Sequence, residues 1–479
     1  MRDAYGVESV RAAELELMAR GPAGALMQRA AAGLAAECAQ LLGKVYGSRV
    51  ALLVGSGDNG GDALYAGARL ARRGAGVSAV LLAPERTHAG GLAALRAAGG
   101  VVVDGGADRA EDVVARARLV VDGIVGIGGR GGLRERAAGL VAAAARDALV
   151  VAVDLPSGVD ADTGEVHGEA VRADVTVTFG AYKPGLLIDP GREYAGAVRL
   201  VGLGLELAGR ERALEALQYA DVAGLLPLPG GESDKYRRGV VGVVAGSARY
   251  PGAAVLCVAG ALRGGAGAVR YVGPAADAVI ARFPEALVSA GPPSKAGRVQ
   301  AWVVGPGLGD DEERLRDVVG AEVPVLIDAD GLRLVAERAV RERRAPTLLT
   351  PHAGEAAALL GVAREEVEAA RLSAVRELAG RFGATVLLKG STTLVGTAEG
   401  AVRVNATGTP WLATAGSGDV LSGLAGSLLA AGLGARDAGS VGAYLHGLAA
   451  RHAANGAPVA AQDVADAIPV AWRDVRRGG

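Results

Sequence analysis

The sequence predicts two α/β domains in one chain, each a doubly wound sheet of parallel strands with helices on both faces. A length of 479 residues is too great for one ordinary core and sufficient for two domains. Short apolar runs alternate with helix-like stretches through both halves, which is the pattern of strand–helix–strand units. Glycine-rich or polar turns follow the apolar runs, where such sheets carry their ligand-binding loops.

The composition narrows the class of protein. Hydrophobic residues make up 50% of the chain and aromatic residues only 3%, so we expect a closely packed core of Ala, Val and Leu. The net charge is -1 with acids and bases intermixed, which argues against binding to nucleic acid or to a membrane surface. Cys38 and Cys257 lie far apart, and no apolar run reaches membrane-spanning length. We therefore expect a soluble cytoplasmic protein.

The first half begins with helices and continues with strands. Apolar residues recur at helical spacing from Val7 to Leu42, and Gly21-Pro22 divides this stretch into two helices. A further helix is predicted at Ala63–Arg73, after the first strand and its turn. The predicted strands of this half are Val50–Val54, Val77–Leu82, Val101–Val103, Leu119–Asp122, Val150–Asp154 and Ala173–Phe179.

The turn after the first strand carries the spacing G-x-G-x-x-G, from Gly55 to Gly60. Between a strand and a helix, this spacing predicts a helix N-terminus that holds dinucleotide phosphates. The turn also contains Asp58, Asn59 and Asp62, however, and carboxylates repel a pyrophosphate. The same turn therefore fits a second interpretation, in which it holds a cation or a polar ring.

Polar residues also stand at the ends of two other strands, at Asp122 and Asp154. Because parallel strands end at one edge of a sheet, we expect both to converge with the Gly55–Asp62 turn; separate helix caps are the alternative. Asn59, Asp122 and Ser157 offer oxygen ligands, which select a hard cation such as K⁺, Na⁺ or Mg²⁺. Asp154 would be left free for acid–base chemistry.

A change in composition predicts the join between the halves. Glu206 to Gln218 is charged and helix-like, and Leu226 to Gly231 is rich in Pro and Gly. We place the domains in residues 1–210 and 220–479. The second half also predicts a helix of small residues at Ala254–Leu262. Its predicted strands are Val240–Val244, Ala301–Val304, Val323–Ile327, Thr347–Leu349 and Thr385–Leu388.

The stretch from Thr414 to Gly423 is a glycine-rich turn that leads into a predicted helix, Val420–Leu429. We expect Gly416 and Gly418 to adopt positive φ, and the N–H groups of the following helix to form a cup for an anion such as phosphate. Asp419 stands at this cup. Because a carboxylate is repelled by phosphate, its expected task is to take a proton from an attacking hydroxyl; a helix N-cap is the alternative.

Two further strand ends carry candidate ligand contacts. The segment Lys389–Thr393 offers one ammonium, several hydroxyls and free N–H groups to a nucleotide phosphate, although it lacks the spacing of a Walker A loop. His352, near Glu355, stands in a predicted loop at a strand end, and we favour ligand contact over a surface histidine. Together these features indicate phosphoryl transfer, with the Gly416–Gly418 cup stabilising the developing charge.

The first half contains three characteristic stretches: GSGDNGGDA, VVDGIVGIGGRGG and VDLPSGVDADTGEV. They resemble the NAD(P)HX epimerase domain, the YjeF amino-terminal family. The resemblance implies a Rossmann-like fold that inverts the hydrated carbon of hydrated NADH and NADPH. It also implies K⁺ bound by Asn59, Asp122 and Ser157. Asp58 stands where the family usually has Asn. The implied substrate pocket contains Asp58, Asn59, Gly60, Gly61, Asp62, Gly126, Ile127, Gly128, Gly129, Arg130, Gly131, Gly132 and Asp154.

The second half contains seven characteristic stretches: SDKYRRG, VVAGSARYPGAA, VGPGLG, IDADGL, LTPHAGE, LKGSTTLV and TAGSGDVLSG. Together they resemble the ADP- or ATP-dependent NAD(P)HX dehydratase, the YjeF carboxy-terminal family. The resemblance implies a ribokinase-like fold that removes water from the S epimer at the expense of a nucleotide. The implied contacts with the hydrated coenzyme are Ala253, Gly307, His352 and Asp419. The implied contacts with the nucleotide are Lys389, Gly390, Ser391, Thr392, Thr393 and Gly418.

The two resemblances together imply a coenzyme-repair enzyme, both isomerase and lyase, with Asp154 and Asp419 as its catalytic residues. They imply ADP as the co-substrate, because ADP is usual in bacterial members, and a homo-oligomer. Mg²⁺ is expected for phosphoryl transfer, with Asp328 and Asp330 as candidate ligands. A kinase of a small hydroxylated metabolite is the alternative enzyme, and a dinucleotide sensor without turnover is the alternative from another class.

Overall fold

The computed structural model describes residues 1–478, and these form two compact units. The amino-terminal unit is Asp3–Ala213, and the carboxy-terminal unit consists of Met1–Arg2 and the chain from Leu214 onward. No helix among the described residues has the length and apolar character needed to cross a membrane.

Parallel strands form the whole sheet of the amino-terminal unit. Its helices are α1 Val7–Arg20, α2 Ala25–Leu42, α3 Asp58–Arg72, α4 Ala89–Ala97, α5 Arg109–Ala115, α6 Glu135–Ala142 and α7 Gly191–Ala195. A short strand, β1 Arg2–Ala4, precedes α1 and is not part of this sheet. The strands of the sheet are β2 Arg49–Val54, β3 Gly76–Leu81, β4 Val101–Asp104, β5 Leu119–Gly123, β6 Leu149–Val153, β7 Val175–Phe179 and β8 Ala197–Val201. Short 3₁₀ helices lie at Pro84–Arg86 and Pro184–Leu186.

The order of this sheet is β4-β3-β2-β5-β6-β7-β8. The connections run one way from β2 to β4 and the other way from β5 to β8, so the order reverses between β2 and β5. In open parallel sheets, ligands bind beyond the strand ends at such a switch point. Gly55, which follows β2, has room only for a hydrogen, because a Cβ there would lie 1.9 Å from the carbonyl oxygen of Ile124. The turn after β2 is thus packed against the end of β5.

The carboxy-terminal unit is larger and its sheet is mixed. Its helices are α8 Tyr219–Leu225, α9 Pro251–Arg263, α10 Ala276–Arg282, α11 Glu312–Val319, α12 Asp330–Leu334, α13 Glu337–Arg341, α14 Ala353–Leu360, α15 Arg364–Ala369, α16 Arg371–Phe382, α17 Ser417–Ala430, α18 Ala435–Ala454 and α19 Ala461–Gly478. Its strands are β9 Leu214–Ala216, β10 Val240–Val244, β11 Ala268–Val272, β12 Leu287–Ser289, β13 Ala301–Val304, β14 Val325–Ile327, β15 Thr347–Leu349, β16 Thr385–Leu388, β17 Thr393–Gly396 and β18 Val402–Asn405. Short 3₁₀ helices lie at Pro293–Lys295 and Pro410–Leu412.

From β9, the strands of this unit follow the order β9-β18-β17-β16-β15-β14-β13-β10-β11-β12. The strands from β15 to β12 pair in parallel, whereas β17 is antiparallel to both β16 and β18. The predicted α/β class is confirmed in both units, but the antiparallel strands were not predicted. Because Leu388 pairs with Leu394, the chain between β16 and β17 is a tight hairpin turn.

Two predicted elements were wrong. The stretch Glu206–Gln218 is not a helix, because Gly209 has a φ of 79° and Leu214–Ala216 forms β9 beside β18. Helix α3 begins at Asp58 rather than at Ala63. Gly57, with a φ of 99°, precedes its first turn, where the carboxylate of Asp58 interacts favourably with the helix dipole.

The cores consist mainly of Ala, Val and Leu, as the composition predicted. Glycines allow helices α9 and α17 to pack with their backbones in contact. A Cβ on Gly423 would lie 1.9 Å from the carbonyl oxygen of Cys257, and a Cβ on Gly260 would lie 2.1 Å from that of Val420. Cys38 and Cys257 are both free and buried. Burial raises the pKa of the Cys38 thiol to about 12 and that of Cys257 well above its usual value.

Candidate functional site

In the amino-terminal unit, Asp154 is held by three donors. It follows β6 with a φ of 68°, a left-handed conformation that is uncommon outside glycine. Its Oδ1 accepts hydrogen bonds from Lys183 Nζ at 2.5 Å, Thr178 Oγ1 at 3.0 Å and the backbone N–H of Phe179 at 3.2 Å. These donors hold Oδ1, and the prediction that Asp154 is available for acid–base chemistry stays a prediction. Its strained backbone and convergent donors fix one oxygen of the carboxylate in place.

Lys183 is a site residue that the sequence analysis missed. Its side chain is 1% exposed, and besides Asp154 its Nζ contacts Thr178 Oγ1 at 3.0 Å and the carbonyl oxygen of Phe179 at 2.9 Å. A buried ammonium needs a partner charge, and the carboxylate supplies it. The available signal was a single lysine in the largely apolar run from Phe179 to Leu187.

The predicted K⁺ ligands lie around the end of β5. Ser157 donates from Oγ to Asp122 Oδ1 at 2.7 Å and from its backbone N–H to Oδ2 at 2.8 Å. Burial raises the pKa of Asp122 to about 6, against the lowering effect of hydrogen bonds from Ser157 and Ile124. Asn59 lies against Gly126, where a Cβ would be 2.9 Å from its Oδ1.

The side chains in this group carry the kind of ligand atom that a hard cation prefers. Asn59, Asp122 and Ser157 all have side-chain oxygens, which suit K⁺, Na⁺ or Mg²⁺ better than a soft metal. The buried Nδ2 of Asn59 has no hydrogen-bond partner among the described residues. The carboxamide is thus positioned by packing against Gly126 rather than by a bond through its nitrogen.

Asp62 is a second unusual carboxyl group in this unit. It is 8% exposed, and its Oδ1 is buried with no hydrogen-bond partner within residues 1–478. Burial raises its pKa well above the usual value, and the negative charges of Asp154, Asp58 and Glu14 raise it further. The buried carboxyl of Asp62 therefore favours its protonated form more than an ordinary aspartate does. Glu14, on α1, was not predicted as a member of this carboxylate group.

The other predicted pocket residues are glycine-rich. Gly60 and Gly61 lie in the first turn of α3, where a Cβ would meet the carbonyl oxygen of Gly55 at 2.5 Å and the ring of His88 at 3.0 Å. They allow α3 to pack closely. The segment Gly126–Gly132, which also includes Ile127, Gly128, Gly129, Arg130 and Gly131, forms the loop after β5.

In the carboxy-terminal unit, Asp328 organises the site. It is 1% exposed; its Oδ1 accepts from Lys389 Nζ at 2.7 Å and its Oδ2 from Ser422 Oγ at 2.6 Å. Glu355 lies 3.6 Å from the same Nζ. Burial lowers the pKa of Lys389, but Asp328 and Glu355 together raise it above its usual value. Lys389 is therefore a fixed positive charge.

Asp419 lies in the first turn of α17, and its pKa is raised to about 7. Burial is the main cause, the negative charge of Asp328 adds to it, and Lys389 opposes it. Gly416 has a φ of 88° and is the N-cap, so Asp419 is not the cap. The prediction of positive φ at Gly418 was wrong, because Gly418 is already helical. A carboxyl with a pKa near 7 is suited to act as a general base.

The other predicted contacts with the hydrated coenzyme are Ala253, Gly307 and His352, and they lie in two places. Gly307, with a φ of 59°, lies against Ala253, since a Cβ on Gly307 would be 2.7 Å from the Cβ of Ala253. His352 is the N-cap of α14: its Nδ1 accepts from the N–H of Glu355 at 3.1 Å, and the Glu355 carboxylate accepts from the N–H of His352 at 2.8 Å. His352 thus belongs to a helix cap rather than a loop, with an exposed ring next to the partner of Lys389.

The segment Lys389–Thr393 consists of the hairpin turn between β16 and β17, Lys389–Thr392, and the first residue of β17. Gly390 and Ser391 are exposed, whereas Thr392 and Thr393 are buried. A Cβ on Gly418 would lie 3.5 Å from Lys389 Nζ, so the hairpin turn meets the beginning of α17. The structure therefore brings the predicted nucleotide residues close to Asp419 through Lys389.

Comparison with known proteins matches both halves. The family model described as NAD(P)H-hydrate dehydratase matches residues 241–470, and the model described as YjeF-related protein N-terminus matches residues 23–185. The bifunctional NAD(P)H-hydrate repair enzyme Nnr of Mycobacterium tuberculosis (strain CDC 1551 / Oshkosh) is 51% identical over 444 residues, covering 90% of each chain. That of Mycobacterium leprae is 50% identical over 461 residues, covering 94% of each chain.

A solved structure matches the carboxy-terminal half. It is the ADP/ATP-dependent NAD(P)H-hydrate dehydratase from Bacillus subtilis, co-crystallised with ATP and Mg²⁺. It is 28% identical with a TM-score of 0.50, and the match covers 54% of this chain and 97% of that chain. These comparisons confirm the two resemblances that the sequence motifs carried.

Proposed function

We propose that this chain, which belongs to the family of bifunctional NAD(P)H-hydrate repair enzymes, repairs hydrated NADH and NADPH in two steps. The amino-terminal unit interconverts the R and S epimers, and the carboxy-terminal unit dehydrates the S epimer to NAD(P)H with ADP as co-substrate. The observation that carries the second step is the position of Asp419, a base with a pKa of about 7 at the beginning of α17 and near Lys389.

In the dehydration, Asp419 takes the proton from the hydroxyl of the hydrated coenzyme. The hydroxyl oxygen forms a bond to the terminal phosphorus of the nucleotide, and the bond from that phosphorus to the nucleotide leaving group breaks. The carbon–oxygen bond then breaks, phosphate leaves, and loss of a neighbouring proton forms the double bond of NAD(P)H. Lys389, Gly390, Ser391, Thr392, Thr393 and Gly418 hold the nucleotide, while Ala253, Gly307 and His352 contact the coenzyme.

Mg²⁺, when bound, neutralises charge on the transferred phosphoryl group. The relative co-crystallised with ATP and Mg²⁺ supports its use. Of the two predicted ligands, Asp330 fits better, because both oxygens of Asp328 are engaged by Lys389 and Ser422. Asp330 uses Oδ2 to accept from the N–H of Gly309 at 2.9 Å.

In the epimerisation, two carboxyl groups lie in different environments. Asp154 is paired with the buried ammonium of Lys183, whereas burial and neighbouring negative charges raise the pKa of Asp62. Such a pair supplies a base and an acid to one substrate. K⁺ held by Asn59, Asp122 and Ser157 would add positive charge near the end of β5 and help to orient the substrate. Of the proposed pocket residues, Asp58, Gly60 and Gly61 lie in the first turn of α3, and Gly126–Gly132 lies in the loop after β5.

The test is recovery of NADH absorbance from a mixture of R- and S-NADHX, with ADP and then ATP, in the presence of K⁺ and Mg²⁺. We expect complete recovery, faster than spontaneous epimerisation permits, with ADP as the better nucleotide. Recovery that stops at the S fraction would remove the epimerase from the proposal. No recovery with either nucleotide would overturn the repair function and favour the metabolite kinase, which at present leaves the matched first half unexplained.

We also infer a homo-oligomer in the cytoplasm. Leu15 and Met18 on α1 have exposed fractions of 64% and 49%, which supports the use of this helix as a contact surface. The two unpaired cysteines support a reducing compartment. Analytical ultracentrifugation of the wild-type chain and of Leu15→Glu tests the oligomer: a monomeric wild type would contradict it.

A further inference from the structure

A buried arginine lies directly under the hairpin turn of the carboxy-terminal unit. Arg371, the first residue of α16, is 6% exposed. Its Nη2 donates to the carbonyl oxygens of Thr392 at 2.9 Å, Lys389 at 3.1 Å and Leu388 at 3.4 Å. These carbonyls come from both arms of the turn, so one guanidinium group ties the two arms together.

The turn is built closely around this guanidinium group. A Cβ on Gly390 would lie 2.4 Å from Nη2 and 2.8 Å from Cζ of Arg371. Any larger residue at this position would therefore displace the guanidinium group from the carbonyls that it holds. The close packing of Arg371 is therefore a reason for glycine at position 390, in addition to any contact with a ligand.

The carbonyl contacts also set the direction of the N–H groups. In a planar trans peptide, the C=O of one residue and the N–H of the next point in opposite directions. Because the carbonyl of Lys389 points at Arg371, the N–H of Gly390 points away from Arg371, and both Gly390 and Ser391 are exposed. An N–H oriented outwards from an exposed turn is a ready donor to a phosphate oxygen.

Arg371 also helps to hold Lys389, whose ammonium group is a proposed phosphate contact. Lys389 begins the turn, and its Nζ is held by Asp328. With its backbone carbonyl held by Arg371 and its side chain held by Asp328, Lys389 is fixed at both ends. A fixed donor loses little conformational entropy when it binds a ligand.

We propose that Arg371 is a positioning residue that shapes the Lys389–Thr392 turn for the phosphate groups of a nucleoside diphosphate. This inference rests on the proposed function for the identity of the nucleotide site, and it assigns a role to a residue outside that site. Arg371 acts through the carbonyls of the turn and not by contact with the nucleotide.

The test compares Arg371→Lys and Arg371→Met with the wild type and with Arg376→Met, a matched control on the exposed face of α16. Binding of ADP and of adenosine to the full chain is measured by calorimetry without coenzyme. We expect Arg371→Met to weaken ADP binding by about tenfold or more and adenosine binding by less than about threefold. Arg371→Lys keeps the charge but not the fork of donors, and we expect an intermediate loss.

Steady-state dehydration of S-NADHX supplies the second readout. We expect the KM for ADP to rise by about tenfold while the KM for S-NADHX stays within about twofold. Equal weakening of ADP and adenosine, or no weakening of ADP in either Arg371 variant, would overturn the proposal, as would a wild type that does not bind ADP. If Arg371→Met does not fold, the decision rests on Arg371→Lys. A wild type that binds ADP but does not dehydrate S-NADHX would contradict the proposed function alone.

Discussion

Lys183 Nζ and Asp154 Oδ1 form a buried ion pair 2.5 Å apart at the carboxyl ends of β6 and β7. The two residues are 29 positions apart and come from different loops. Since each charge is desolvated, neither is stable in this place without the other. The pair therefore serves the stability of the unit and its proposed chemistry together.

Lys183→Met is expected to leave Asp154 as an uncompensated buried charge. We expect a loss of about 3–5 kcal/mol in the free energy of unfolding of the amino-terminal unit. Recovery of NADH from mixed epimers should stop at the S fraction. Urea unfolding and the recovery assay measure the two effects, with the exposed Lys44→Met as control.

The double variant Lys183→Met with Asp154→Asn separates stability from chemistry. Removing both charges should restore most of the free energy of unfolding but none of the epimerisation. Restored epimerisation would show that neither residue takes part in the reaction.

Asp419→Asn removes the proposed base of the dehydration. We expect the rate of NADH formation from S-NADHX to fall by about 10²–10⁴-fold while ADP still binds. The exposed Asp466→Asn serves as a matched control. A fall of less than about fivefold would assign proton removal to another group.

The pH dependence follows from the pKa of about 7 at Asp419. A base must be ionised, so kcat/KM for S-NADHX should reach a plateau above pH 7 and fall by about tenfold per pH unit well below it. In Asp419→Asn, the residual kcat/KM should no longer fall below pH 7. A pH–rate profile of each protein measures this difference. A wild-type profile that is flat from pH 5 to 8 would contradict the role of base.

The same raised pKa predicts an effect on stability. A carboxyl whose folded pKa lies above its unfolded value stabilises the fold at low pH, and that contribution is lost as the pH rises through about 7. At pH 8, Asp419→Asn is therefore expected to raise the Tm by roughly 2–4 °C or more, although it loses activity. At pH 4 the two proteins should melt within about a degree of each other, as thermal unfolding followed by circular dichroism would show.

Gly126→Ala tests the proposed K⁺ site without changing a ligand. The new Cβ would lie 2.9 Å from Asn59 Oδ1 and displace the carboxamide. We expect the K⁺ concentration for half-maximal epimerisation to rise several-fold. Gly139→Ala, inside α6 with nothing within 4 Å of the new Cβ, is the control and should leave epimerisation unchanged. An unchanged K⁺ requirement in Gly126→Ala would exclude Asn59 from the site.

The sequence was sufficient to predict most of the strands and the turns that follow them. Apolar runs such as Val50–Val54 are fully buried strands because both faces of a parallel sheet are covered by helices. Position at the end of a strand or in a glycine-rich turn also marked Asp122, Asp154 and Asp419 as candidate site residues, and these remain predictions. Their partners could not be found in this way, because Lys183 and Arg371 reach their contacts through the tertiary fold and their local sequences carry no periodic signal.

One wrong prediction has a clear physical cause. Glu206–Gln218 has a helical pattern of charges, but pairing of Leu214–Ala216 with β18 prevails over local propensity. The sequence also offered Asp328 as a candidate Mg²⁺ ligand, which stays a prediction, but it did not reveal that Lys389 and Ser422 contact both of its oxygens. Such competition for a carboxylate is decided by the fold and is invisible in a linear motif.

The two buried cysteines allow local unfolding of each unit to be measured by thiol labelling. One thiol lies in each unit, Cys38 in the amino-terminal and Cys257 in the carboxy-terminal. Because the thiolate is the reactive form and burial raises both pKa values, a thiol-directed label attaches only after the surrounding helices separate. Labelling rates read peptide by peptide would then give the opening frequency of each half in a single experiment, without any engineered probe.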